Sequence, residues 1–273
     1  MKIYISADLE GISGVVDREQ LSASGKDYAR ARKLMTGEVA ACVRACLEAG
    51  AQEVLVNDAH GSMTNILIED LPPGCRLITG SPKGMGMMEG IDERFDGAIF
   101  VGYHGRAGSG TVLNHTISGS TVYEVRVNEH PMGETGLNAA LAGYYEVPLL
   151  LVTGDEGPAE EVKELDTGTR SVMVKRSRGR YSADCLPAEK AQEAIAEATR
   201  EILGDLSGGT RPTPFKLLGS VRMDLQFTDT ARADLAAAIP GVERTDTLVC
   251  SYTGKDYLDA YRVLKVMIAM GSR

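Results

Sequence analysis

Four histidines occur in this chain of 273 residues, and three of them fall in short turn-like stretches. His60 lies in VNDAHGS, His104 in FVGYHGRAGSG and His115 in LNHT. Near the N-terminus, ISADLEGISG carries Asp8 and Glu10 two positions apart, which in an extended segment turns both side chains to one side. Two carboxylates aimed at one point repel unless a cation lies between them. Imidazole and carboxylate are ligands of zinc and other catalytic divalent metals, so these residue types predict metal-dependent chemistry. The fourth histidine, His130, sits in NEHP and reads as a turn residue.

The elements that must position these groups are visible as apolar runs too short for helices, alternating with helix-period segments. Strands are expected at 2–8, 53–58, 76–80, 97–103 and 148–155, several of them almost continuously hydrophobic, as when both faces of a strand are buried. Between the first two lies the amphipathic segment DYARARKLMTGEVAACVRACLEAG, closing on Gly50 as a C-cap. A strand, a helix and a strand imply parallel pairing through a right-handed crossover. The expected fold is therefore α/β, a mostly parallel sheet with flanking helices. Residues 121–128 alternate and run into a turn, predicting an antiparallel strand beside that sheet. A short helix is expected after Gly133.

Beyond a boundary near 165, the pattern predicts a smaller α+β region over 166–273 that packs on a metal-binding domain of 1–165. SVMVKR (171–176) reads as a strand, 186–203 as a helix, 207–214 as a linker and 216–227 as a strand, with helices at 229–238 and 254–270.

Asp8, His60 and His104 then stand at or just past the carboxyl ends of strands in one sheet, the edge where open parallel sheets bind ligands. Each has a plainer reading: Asp8 and Glu10 as caps or solvated acids, the histidines as loop residues. Their joint occurrence at three strand ends favours the metal. His115 follows His104 across the glycine-rich GRAGSGTVLN, long enough to fold back over that edge, and suits a ligand, a general base or an electrophile. Glu134, after Gly133, equally suits an acidic first-turn residue favoured by the helix dipole. Asp58 and Asp155 at strand ends are candidates to hold a histidine tautomer.

Composition narrows the partners. A net charge of -9 argues against a nucleic-acid backbone, which binds through Lys and Arg. Five cysteines without a CxxC pair suit a reducing compartment, with Cys42 and Cys46 as core residues one helical turn apart. No run approaches the ~18 apolar residues of a membrane span, and the N-terminus lacks a secretory pattern. A cytoplasmic protein is expected.

ADLEGISG (7–14), VNDAHG (56–61), EGIDERFDGAIFVGYHGRAG (89–108), the NHT at His115 and MGETGLNAALAGYYEVP (132–148) together resemble the D-aminopeptidases of dipeptide-transport operons, the M55 metallopeptidases. The likeness runs in uninterrupted order to about residue 155 and more weakly beyond. It implies zinc ligands at Asp8, Glu10, His60, His104 and Glu134, a catalytic role for His115, a homo-oligomer, possibly a homodecamer, and small peptides with an N-terminal D-residue, such as D-Ala-D-Ala, as substrate. Five ligands exceed one open tetrahedral zinc but suit two ions about 3.5–4 Å apart with a shared carboxylate, for which Asp8 is the best placed. The expected reaction is attack by a metal-activated water, with His115 taking a proton or stabilising the oxyanion. The alternatives are a dinuclear phosphoesterase or other hydrolase, disfavoured by the lack of basic residues clustered near the ligands, and a metal-containing peptide-binding protein.

Overall fold

The computed structural model describes residues 1–272. The first part of the chain forms β1 (Lys2–Ala7), α1 (Tyr28–Glu48), β2 (Glu53–Asp58), β3 (Cys75–Ile78) and β4 (Gly97–Tyr103). The middle forms β5 (Val122–Val127), β6 (His130–Pro131), α2 (Glu134–Tyr144), β7 (Leu149–Gly154), α3 (Glu156–Leu165) and β8 (Arg170–Met173). The last part forms β9 (Lys175–Gly179), β10 (Ser182–Cys185), α4 (Ala188–Ser207), β11 (Val221–Phe227), α5 (Thr230–Ala236), β12 (Glu243–Arg244), β13 (Val249–Gly254) and α6 (Tyr257–Gly271).

A six-stranded sheet, β3-β2-β1-β4-β7-β8, is parallel throughout. Period-2 alternation divides its side chains between two cores. Ile3, Ile5, Val54, Val56, Ile99 and Val101 pack with α1 and α4 residues such as Val39, Cys42 and Ile195. Tyr4, Leu55, Ala98, Phe100 and Val152 face the opposite way, toward Leu137 and Leu141 of α2 and Leu264 and Met267 of α6. Covered on both sides, β4 and β7 are buried at every position, which is why they read as unbroken apolar runs. All five cysteines are free, and Cys42 and Cys46 lie in the core.

A second sheet, β12-β13-β11-β5-β6, is antiparallel. The strand expected at 121–128 belongs here, not to the parallel sheet, and its turn is made by Asn128 and Glu129, both with positive φ. Both sheets draw strands from either side of residue 165. SVMVKR is two strands, because the chain leaves the parallel sheet at buried Val174 and β9 pairs with β10 in a separate hairpin. The segment expected as a strand over 216–227 is regular only from Val221, and α3 and β13 appear where no element was expected.

β1 is flanked by β2 and β4, so the carboxyl ends of these three strands adjoin. That edge carries the chemistry.

Candidate metal centre

The residues that follow β1 are tied down by backbone and by buried charge. Asp8 N donates to Val101 O at 2.8 Å and Gly11 N to Gly102 O at 2.7 Å. Here two glycines let main chain lie on main chain. A Cβ on Gly11 would strike Tyr103 O and Gly102, and one on Gly102, at φ +74, would strike Asp8 O and the Ile12 side chain. From below, the buried ammonium of Lys175 donates to the carbonyls of Glu10, Ile12 (3.1 Å) and Val15 (2.5 Å). Ser13 N donates to buried Glu38 Oε1 at 2.9 Å. Asp8 and Glu10 are thus presented by a fixed loop, 2% and 3% exposed.

His60 is carried by the loop after β2. Asp58 accepts from Asn65 N at 2.5 Å, Asn65 Nδ2 at 2.7 Å and Ile66 N at 2.8 Å, closing that loop. His104 directly follows β4. The glycine-rich segment after it does fold back: His115 N donates to Gly105 O at 3.3 Å, and the His115 ring stacks on His104 with centroids 4.3 Å apart and planes 7° from parallel. The segment is pinned to the β9–β10 hairpin by Val112 N to Ser177 Oγ (2.8 Å) and Leu113 N to Arg180 O (2.8 Å). Glu134 opens α2, where Glu161 Oε1 accepts from Gly133 N at 2.6 Å and Gly136 N at 3.1 Å on either side of it.

All six expected residues meet at one point. His60 Nδ1 is 2.8 Å from Glu10 Oε2 and 3.3 Å from Asp8 Oδ1. His104 Nε2 is 3.4 Å from both Asp8 Oδ2 and Glu134 Oε1. His115 Nε2 is 3.9 Å from Glu10 Oε1 and 3.8 Å from Glu134 Oε1. Candidate ligand atoms of Asp8, Glu10 and His104 lie within 4.8 Å of one another, as do those of His104, His115 and Glu134. His130 stays apart, in the β5–β6 hairpin.

The other nitrogen of each ring faces a backbone carbonyl: His60 Nε2 to Leu21 O (2.7 Å), His104 Nδ1 to Gly105 O (3.0 Å) and His115 Nδ1 to Leu113 O (3.0 Å). A carbonyl only accepts, so each ring donates there. In the neutral ring the nitrogen turned to the carboxylates then carries a lone pair. This is the arrangement by which an outer partner fixes a ligating histidine, but the partners are carbonyls. Asp58 and Asp155, candidates for that role, do other work: Asp58 closes its loop, and Asp155 Oδ1 caps α3 by accepting from Gly157 N at 2.8 Å.

The groups of the cluster shift one another's protonation. Burial, then the charge of Glu10, pushes the Asp8 carboxyl up to about 7. Burial alone would lower His104, but Glu134 and Asp8 outweigh it and hold the ring at about 10. Glu10 and Glu134, although buried, are drawn below the usual range, chiefly by His60 and by His104 respectively. Burial, and then the neighbouring His104, lowers His115.

Two clefts, of about 340 and 360 Å³, open at His115, and arginines line them: Arg106 and Arg180 the first, Arg18 and Arg180 the second. Basic residues therefore do cluster beside the candidate ligands, brought from three distant parts of the chain. Lys175, Glu161 and Glu38 also escaped the sequence reading. A lysine inside the apolar run VMVKR is the one local signal among them.

The D-aminopeptidase profile of the M55 peptidases matches residues 1–266. The D-aminopeptidase of Bacillus subtilis strain 168 is 36% identical over 283 aligned positions, covering 100% of this chain and 98% of that protein. The solved structure of the Zn-dependent D-aminopeptidase DppA from Bacillus subtilis, described as a self-compartmentalizing protease, superposes with a TM-score of 0.95 at 36% identity over 100% of this chain and 98% of that one. In sequence and in fold alike, this chain belongs to the M55 family of D-aminopeptidases.

Proposed function

We propose that this chain is a zinc-dependent aminopeptidase that releases an N-terminal D-residue from short peptides, D-Ala-D-Ala among them. The observation that carries the reading is the set of three imidazoles, each anchored by one nitrogen to a carbonyl and turning the other to Asp8, Glu10 and Glu134. Asp8 Oδ2 and His104 Nε2 are buried with no hydrogen-bond partner among the described residues. Leaving buried ionisable atoms unpaired is costly, and a divalent cation among them would remove that cost, so the donor set fits.

Asp8, Glu10, His60, His104 and Glu134 would hold the metal, as two ions per subunit. Asp8 approaches both His60 and His104, so it would help to hold metal beside either ring. When bound, zinc supplies Lewis-acid polarisation of the peptide carbonyl and activation of water. The chain contributes the rest. His115 is more exposed than the other rings, with 18% of its side chain accessible, and stands farther from the carboxylates; both features support a catalytic role over ligation. Its lowered pKa leaves a neutral ring at pH 7, able to take a proton from the attacking water at Nε2 and return it to the leaving amine.

The self-compartmentalizing description of the Bacillus relative supports a homo-oligomer, for which ten subunits is the expectation. Free cysteines support a cytoplasmic setting, and no helix among the described residues is long and apolar enough to cross a membrane.

Asp8→Asn and His104→Ala should each lose bound zinc and hydrolysis of D-Ala-D-Ala together. Retention of both properties would overturn the reading. Paired D- and L-alanyl dipeptides, assayed with zinc and then with a chelator, resolve chirality and metal need at once. Arginines beside such a donor set also suit phosphoryl transfer, so cleavage of p-nitrophenyl phosphate without any peptide cleavage would replace the proposal.

A further inference from the structure

The arginines at the mouth of the site have no role in holding the ligands. Arg180 and Tyr181 form the tip of the β9–β10 hairpin, and Arg18 comes from the segment after β1. The guanidinium carbons of Arg18 and Arg180 lie 5.1 and 5.8 Å from the centroid of the one Tyr181 ring. Two like charges share a single aromatic support.

Neither is neutralised. Among the described residues, Arg18 and Arg180 have no carboxylate partner, whereas Arg94, Arg126, Arg170 and Arg232 are all paired. The Arg180 side chain is nonetheless oriented, with Nη1 donating to Asn114 Oδ1 at 2.8 Å, next to His115 in the chain. Its carbonyl holds Leu113 N. Arg180 therefore belongs to the same rigid loop system as the catalytic histidine, and it lines both clefts that open on that histidine.

The surroundings define what these charges can serve. With Asp8, Glu10 and Glu134 engaged in holding the metal, the guanidiniums at the mouth would be the charged side chains left to meet a substrate. A guanidinium offers planar paired donors that match a carboxylate and hold it by charge-assisted hydrogen bonds. In a dipeptide the terminal carboxylate lies about one residue's span, ~3.5 Å, from the scissile bond. In a longer peptide it lies outside such a cleft.

We propose that Arg180, assisted by Arg18 across Tyr181, forms a subsite for the free C-terminal carboxylate of very short peptides. The subsite selects for length through charge. The inference rests on the peptidase reading and specifies its substrate class.

The test uses the zinc-loaded wild type, Arg180→Ala, Arg180→Lys and Arg18→Ala, each with alanyl-alanine and with its C-terminal amide, in both configurations of the first residue. Wild type should favour the acid over the amide by on the order of 10- to 100-fold in kcat/KM, as expected for a hydrogen-bonded charge pair. Arg180→Ala should erase that preference through a rise in KM for the acid larger than any change it makes for the amide. Arg180→Lys should restore part of it, and Arg18→Ala should remove a smaller part. Equal handling of acid and amide by wild type, or an equal loss on both substrates in Arg180→Ala, would overturn the subsite. If wild type cleaves neither form, the peptidase reading fails, and calorimetric binding of the same pair decides the subsite separately. A preference for the acid that Arg180→Ala removes would then support it, and equal affinity would overturn it.

Discussion

In β4 and β7 every residue is buried, whereas along β11 buried positions alternate with more exposed ones from Val221 to Phe227. The central strands of the parallel sheet are covered on both faces, so charged groups gather at their ends: Asp8, His60 and His104 lie at one edge, out of water. The antiparallel sheet sends polar side chains outward, where Arg222 pairs with Asp224 at 2.8 Å on the surface. One sheet concentrates ionisable groups that need partners. The other lends an apolar face to the core and leaves its charges solvated. Equal-looking substitutions should therefore differ greatly in cost between the two.

The widest gap is expected for a single cation. Lys175→Met removes a buried ammonium from three carbonyls under the Asp8–Val15 loop and should cost about 3–5 kcal/mol in urea unfolding, with reduced zinc content. Arg222→Ala should cost about 0–1 kcal/mol and leave zinc untouched. Similar losses in the two variants would break the comparison.

Glycine gives an intermediate contrast. Gly102 and Gly219 have nearly the same φ, +74 and +77, but a Cβ meets Asp8 O and Ile12 at the first and open space at the second. Gly219→Ala should show only the conformational cost of about 1–2 kcal/mol. Gly102→Ala should add overpacking, about 3 kcal/mol or more in total, read as a lower Tm.

The smallest effect concerns pH. Burial pushes the Glu161 carboxyl up to about 7, against the hydrogen bonds of Gly133 and Gly136. A carboxyl raised in the folded state stabilises below its unfolded pKa, and that contribution is lost as pH rises from about 4.5 through 7. Glu161→Gln keeps an acceptor for both amides, so it should shift stability at pH 5 by no more than about 1 kcal/mol. It should flatten the fall of Tm over that interval. An unchanged slope would show that Glu161 does not titrate there.

What the sequence made legible follows the same division. The parallel strands appear as dense apolar runs, and the edge that joins Asp8, His60 and His104 follows from their order, because a parallel sheet aligns strand ends. The hairpin of β9 and β10 and the strand β13 are short and mixed in polarity, and α3 ends at Leu165, against the expected boundary, so none stands out from its surroundings. The partners of the site were the least accessible. Lys175 reaches a loop about 165 positions earlier in the chain, Glu161 grips the start of α2, and Arg18 meets Arg180 over one ring; contacts so distant leave no local spacing to read. Asp58 and Asp155 take other partners for the complementary reason, since each strand-end carboxylate finds amide donors in the loop or helix that follows it.

The crossing of the Asp8–Ile12 loop over the end of β4 is made by main chain on main chain at Gly11 and Gly102. Side-chain contacts can drift in pairs, a loss on one side being absorbed by a gain on the other. A carbonyl has no variants to offer. A substitution at either glycine therefore has no ready compensator among its neighbours, and related sequences compared for paired changes should be silent at this crossing even though it sets where the first two carboxylates stand.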